Sequence, residues 1–175
     1  MSQATPQLQG LPPLLHAKTR LVVLGSFPGV ASLRAQQYYG HPHNQFWKIV
    51  ATLLATDTAN ATVVMAMPYA DRAQWLLHQG VGLWDVYAAC EREGSLDTAI
   101  QNPQPNDLPS LRTRCPVLQA IAHNGGESFK HAPHTRALGL PVYRLPSTSP
   151  ANASWSFERK LAAWREVFHA AGLLR

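Results

Sequence analysis

Charge is scarce in this sequence. Lys and Arg number 15 and Asp and Glu 10 among 175 residues, so charged side chains make up 14% of the chain, against roughly 25% in an average soluble domain. Hydrophobic residues stand at an ordinary 46%, so the polar or highly charged composition of a disordered chain is missing. Long apolar runs are missing too: no stretch approaches the roughly 18 uninterrupted apolar residues of a membrane span. Cysteine is limited to Cys90 and Cys115, with no CxxC pair, which excludes a cysteine-built zinc ribbon or iron–sulfur cluster. The opening MSQATPQLQGLPPLL lacks the basic segment and apolar core of a secretory signal. The expectation is a cytoplasmic protein with reduced thiols. Walker, GxGxxG and GxSxG motifs are absent, which removes the usual support for nucleotide triphosphate, dinucleotide or serine-hydrolase chemistry. The close histidine sets, His41-x-His43 and His131-x-x-His134, are interrupted by Pro42 and Pro133. Neither a metal site nor a cofactor is expected.

What is present fits a single domain over 1–175. Proline is frequent, at 14 residues, and Pro6, Pro12 and Pro13 mark 1–19 as an irregular lead-in. A chain of this length buries most of its surface around one core without a disulfide or metal staple. The net charge of +5 and a pI near 9.6 favour an anionic partner such as nucleic acid.

Leu21-Val22-Val23-Leu24, ended by Gly25, predicts a strand buried on both faces. Phe46, Ile49, Val50, Leu53 and Leu54 recur at helical spacing and predict a helix over 44–55, with Asn44 at the N-cap. A second helix is expected over 71–79, stopped by Gly80, and an extended segment over 82–86. Residues 91–114 read as turns. Strands are expected at 116–122 and 142–145, the first running into a His123-Asn124-Gly125-Gly126 turn with a short helix to Lys130. Phe157, Leu161, Trp164 and Phe168 predict the last helix, capped by Ser154 or Ser156 and ended by Gly172. Trp47, Trp84 and Trp164 read as core. Buried strand, loop and helix recur, which predicts a doubly wound α/β domain with helices on both faces of a mainly parallel sheet.

Polar loops follow three of these strands, over 25–45, 123–127 and 147–154, and a parallel sheet gathers such loops along one edge. They are rich in Ser and Asn, with Phe27, Tyr38 and Tyr39 as flat apolar faces. Aromatics beside amides suit a nucleobase, whose ring stacks while the amide reads its edge. Glycines 25, 29, 125 and 126 let the backbone approach a phosphate.

The loop sequences carry a resemblance. GSFPGVASLRAQQYYGHPHNQFWKI, GVGLWDVYAACEREGSLDTAI and LPSTSPANAS resemble the motif regions of the uracil-DNA glycosylase superfamily, nearest to its hypoxanthine-DNA glycosylase (DNA-deoxyinosine glycosylase) branch. The resemblance runs from about residue 20 to 170. It implies a three-layer α/β/α sandwich around a short, mainly parallel four-stranded sheet. It also implies a monofunctional N-glycosyl hydrolase without metal or cofactor, which flips deaminated bases out of DNA and leaves an abasic site. A monomer without an obligate protein partner or membrane attachment is expected.

The resemblance places Asn44 as the catalytic amide, positioning water or donating to the purine. It assigns Gly25, Ser26, Phe27, Pro28, Tyr39 and His41 to the base, with Tyr39 stacking on it. Asn124, Gly125, Ser147, Thr148, Ser149, Pro150 and Asn152 are expected to grip the strand. The chain departs from the uracil-excising pattern at Phe27, where relatives carry the Asp or Asn that orients water, and no histidine stands near Ser147 and Thr148. Hypoxanthine is therefore the expected base. A uracil or mismatch glycosylase, and a catalytically silent DNA-binding module of the same fold, are the rival readings. Among the carboxylates Asp85 stands out because it interrupts an apolar segment. A structural acceptor or cap is its expected role.

Overall fold

The computed structural model describes residues 5–174. Strands β1 (Gln7–Gln9), β2 (Leu21–Gly25), β3 (Val81–Asp85), β4 (Tyr87–Glu91), β5 (Gln101–Pro105), β6 (Ala120–Asn124) and β7 (Val142–Leu145) form two sheets. The central sheet has the order β3-β2-β6-β7 and is parallel throughout. Its helices are α1 (Val30–Ala35), α2 (Phe46–Leu54), α3 (Thr58–Ala66), α4 (Tyr69–His78), α5 (Leu111–Arg114), α6 (Gly126–Phe129), α7 (Ala132–Arg136) and α8 (Phe157–Ala170).

Every residue of β2, β3 and β6 is buried, and strand alternation divides them between two cores. Leu21, Val23, Val81, Leu83, Ala120 and Ala122 face Phe46, Ile49 and Leu53 of α2 and Trp164 and Phe168 of α8. Val22, Leu24, Trp84 and Ile121 face Phe27, Tyr87, Cys90, Leu108, Leu111 and Cys115. The α/β sandwich is thus present, with its layers unequal. Long helices cover one face, while the other is closed by β4 and the short α5.

Several elements differ from the sequence reading, among them the short helices α1, inside the expected 25–45 loop, α5, inside the expected turns, and α7. Gln7–Gln9, inside the expected lead-in, pairs antiparallel with β4, which pairs with β5. The turn-rich region thereby yields a three-stranded antiparallel sheet, whose β5 is exposed at every position and carries no apolar signal. Helix α3 was not expected because only Val64 of it is buried. Asp57 caps it by accepting from the Asn60 N–H at 2.8 Å, a local signal without periodicity. The strand expected at 116–122 runs over Ala120–Asn124 instead. Val117 is 46% exposed, while polar His123 is fully buried in the strand and satisfied. Its Nδ1 meets Ser128 Oγ and its Nε2 meets Thr135 Oγ1, each at 2.8 Å, and Ser128 donates onward to the Leu24 carbonyl. A buried polar side chain with all its partners belongs to a core as well as an apolar one does.

Candidate active site

The C-terminal ends of β2, β3, β6 and β7 open into one cleft of about 740 Å³, within the range of sites that enclose a small ligand. The three polar loops meet there. Asn44, the base-directed set Gly25, Ser26, Phe27, Pro28, Tyr39 and His41, and the strand-directed set Asn124, Gly125, Ser147, Thr148, Ser149, Pro150 and Asn152 all line it. Residues as far apart in sequence as Gly25 and Asn152 are brought together because a parallel sheet aligns every strand end on one edge.

The first loop is held from behind. Phe27 is buried against the second core, and the Arg92 guanidinium lies 5.3 Å from its ring centroid. Arg92 donates to the Pro28 carbonyl at 2.7 Å and to the Gly94 carbonyl at 2.8 Å, and Ser26 donates to Asp97 at 2.6 Å. Two stretches separated by some 60 residues thus form one wall. Asp97 is a lining group that the sequence reading did not single out, because nothing local marks it.

Asn44 stands just before α2, whose N-cap residue is Gln45. Its Oδ1 accepts from the Phe46 N–H at 2.9 Å, so the expected capping role is displaced by one residue. The Gln45 N–H donates to the Thr148 carbonyl at 3.0 Å. Thr148, 1% exposed, is clasped by Asn124: its N–H donates to Asn124 Oδ1, and Asn124 Nδ2 donates to its hydroxyl, each at 3.1 Å. These two side chains are engaged with each other and shape the loop. Ser147 Oγ accepts from the Ser149 N–H, Ser149 Oγ from the Ala151 N–H, and Asn152 Nδ2 donates to the Ser147 carbonyl. Gly125 has φ +98, and a Cβ there would lie 3.1 Å from that of Ser147, so this turn requires glycine.

Tyr39 adopts a left-handed φ of +54, uncommon for an aromatic residue and a mark of functional loops. One face of its ring stacks on Phe46, at 4.2 Å between centroids. Exposed His41 accepts from the His43 N–H and sits edge-on to the His43 ring at 5.5 Å.

Asp85 overturns its expected role. It is 5% exposed, lines the cleft, and its Oδ2 has no hydrogen-bond partner. Gly25, its neighbour in register on β2, makes the room: a Cβ at Gly25 would lie 2.4 Å from Asp85 Oδ1 and 3.4 Å from Tyr39 Oη. Burial, reinforced by nearby Asp97 and opposed by Arg92, pushes the Asp85 carboxyl up to about 7. Burial and Asp85 likewise push the Tyr39 phenol well above its ordinary value, against the effect of the Asn124 side chain. That amide is spent on Thr148, and Tyr39 Oη has no partner of hydrogen-bonding geometry. Among the described residues no group of three or more His, Cys, Asp and Glu side chains has the arrangement of a metal site.

The family model of the uracil DNA glycosylase superfamily matches residues 12–168. The chain belongs to that superfamily. It is 36% identical over 160 residues to a protein of Methanosarcina barkeri named hypoxanthine DNA glycosylase, covering 91% of this chain and 97% of the relative. The same identity and coverage hold for the Methanosarcina acetivorans protein of that name. A solution NMR structure from Methanosarcina acetivorans, provisionally described as a uracil DNA glycosylase, superposes with a TM-score of 0.82 at 35% identity. It covers 95% of this chain and 99% of the other.

Proposed function

We propose that the protein is a monofunctional DNA glycosylase that hydrolyses the N-glycosidic bond of hypoxanthine flipped out of DNA, leaving an abasic site. The observation that carries this reading is the convergence of all three loops on one cleft roomy enough for a nucleotide, in a chain alike over nine-tenths of its length to two proteins named for that activity. The surplus of basic residues supports a polyanionic substrate. The protein acts as a monomer in the cytoplasm, and no helix among the described residues is long and apolar enough to cross a membrane.

A duplex hides the glycosidic bond, so the nucleotide turns out into the cleft at a cost of a few kcal/mol, least for a mispaired base. Tyr39 offers an aromatic face, worth roughly 1–3 kcal/mol to a stacked base. As the bond breaks, the sugar gains oxocarbenium character and charge moves onto the purine. Asn44 does not titrate. Its Oδ1 is engaged with the first helical amide, and its Nδ2 has no protein acceptor among the described residues. That donor is what Asn44 offers to the departing base or to water. Main-chain N–H groups of Ser26 and Phe27 add to the stabilisation.

The test is base release from labelled duplexes carrying a single hypoxanthine or a single uracil, with DNA binding measured alongside. Wild type releases hypoxanthine faster than uracil, and Asn44→Ala slows release about 10²–10³-fold, the size of one lost transition-state donor, while still binding the duplex. No release of either base by folded wild type would favour a silent binding module, and faster uracil release would move the substrate assignment.

A further inference from the structure

We propose that Asp85 is the proton donor to the departing base. The inference rests on the glycosylase reading above and adds to it a catalytic residue that reading does not contain.

The Asp85 carboxyl is desolvated without full compensation. A carboxyl group taken out of water is retained only when hydrogen bonds or an opposite charge compensate it. Asp85 has neither in full. Its Oδ2 is buried without a partner, and the nearby cation, Arg92, offsets the cost only in part: its Nε and Nη2 donate to the carbonyls of Gly94 and Pro28, its buried Nη1 has no partner, and no hydrogen bond joins it to Asp85. The groups that bear on it from neighbouring elements are Tyr38 and Tyr39 from the loop before α2, Asp97 from the loop after β4, and Arg92. The phenols are neutral, and the remaining carboxylate raises the cost of a second negative charge. Geometry and charge favour the neutral carboxyl, and with the group pushed up to about 7 a large share of it keeps its proton at neutral pH.

A neutral carboxyl has an O–H to give, and here it lines the cleft beside Gly25, whose missing side chain admits it. It stands with Tyr39 Oη, a second buried hydroxyl without a partner. Two orphaned polar atoms at the wall of one cleft are satisfied by a polar ligand that enters it. Asn44 donates hydrogen bonds and gives up no proton, so the chemistry otherwise lacks an acid. As the C1′–N9 bond breaks, its electron pair leaves on the purine, and the Asp85 proton passes to a ring nitrogen. Water adds its hydroxyl to C1′ and releases its other proton to solvent, from which Asp85 is reprotonated. One water is consumed and no other reactant is needed. An acid that titrates near the working pH suits this task.

The experiment is single-turnover base release between pH 5 and 9, for wild type and Asp85→Asn, on duplexes carrying hypoxanthine or 2-fluorohypoxanthine. The fluorine lowers the proton affinity of the leaving base, so its departure leans less on an acid. Wild type on hypoxanthine shows a rate that falls about tenfold per pH unit above about 7. Asp85→Asn is slower by about 10²–10⁴-fold, the usual worth of general acid catalysis. It lacks that limb and loses much less on 2-fluorohypoxanthine. Folding is followed by thermal melting and binding by titration with the duplex. A wild-type rate without the limb overturns the proposal whatever the variant does. So does an Asp85→Asn enzyme that keeps the limb or the full rate. Either result leaves the glycosylase assignment standing, whereas failure of wild type to release any base removes that assignment itself.

Discussion

His123 and Asp85 occupy the C-terminal halves of β6 and β3, with β2 between them. Both are polar, titratable and buried. They differ in partners. Both ring nitrogens of His123 are hydrogen-bonded, whereas Asp85 Oδ2 has none. Burial comes first in displacing both groups, and each shifts toward its neutral form: His123 is pushed down to about 4 and Asp85 up to about 7. The satisfied group braces the strand ends and adds nothing to the cleft. The unsatisfied one costs stability and lines the cleft. Buried polarity alone does not mark a cleft residue in this fold: His123 is buried and polar and lies outside the cleft.

The comparison breaks most directly at His123. His123→Ala removes a fully buried ring and takes one hydrogen bond each from Ser128 and Thr135, so a loss of about 4 kcal/mol is expected. At this chain length that is a fall of roughly 8–16 °C in Tm by calorimetry.

The two groups also give opposite pH slopes. The folded His123 binds its proton more weakly than the unfolded chain does. Stability is therefore lost as pH falls from about 6.5 toward 4, by about 3 kcal/mol. Asp85 binds its proton more tightly when folded, so its contribution is lost as pH rises from about 4 through 7, by up to about 4 kcal/mol. Denaturant melts across pH therefore show Asp85→Asn matching wild type near pH 4 and exceeding it at pH 8. Equal stability of the two proteins at pH 8 would remove the claim that Asp85 is buried at a cost.

Gly25→Ala carries a smaller penalty of about 1–3 kcal/mol for overpacking against Asp85 Oδ1, and release slows because the carboxyl must move. The Gly25→Ala/Asp85→Ala double variant recovers stability without recovering activity, a non-additivity read from a double-mutant cycle. The smallest effect is expected at Arg144, an exposed residue lining the cleft. Arg144→Gln weakens duplex binding modestly and lowers the salt slope by about 1, checked by titration at several salt concentrations.

The central sheet was legible because β2 is an unbroken apolar run, and α2 and α8 because their apolar faces repeat at helical spacing. The loops at the cleft were legible because a parallel sheet sends every strand end to the same edge. Asp85 was visible only as an interruption. Its meaning depends on Gly25 and Asp97, neither adjacent in sequence, so the partner it lacks could not be read from the chain. His123 misled for the complementary reason: it looks like a turn residue until Ser128 and Thr135 close around it. The antiparallel sheet escaped because β5, Gln101–Pro105, is fully exposed and carries two prolines, and edge strands of that kind have no hydrophobic signature.

The chain of hydrogen bonds from Asn124 through Thr148 to Gln45 runs from the end of β6, across the last loop, to the start of α2. It binds two cleft walls into one frame before any ligand arrives. A frame assembled in advance has little configurational freedom left to surrender on occupancy, so the ordering cost falls on the nucleotide that turns out of the helix. The rate of encounter is then set by how readily a base leaves its stack, and a mispaired base reaches the cleft sooner than a well-paired one at equal affinity.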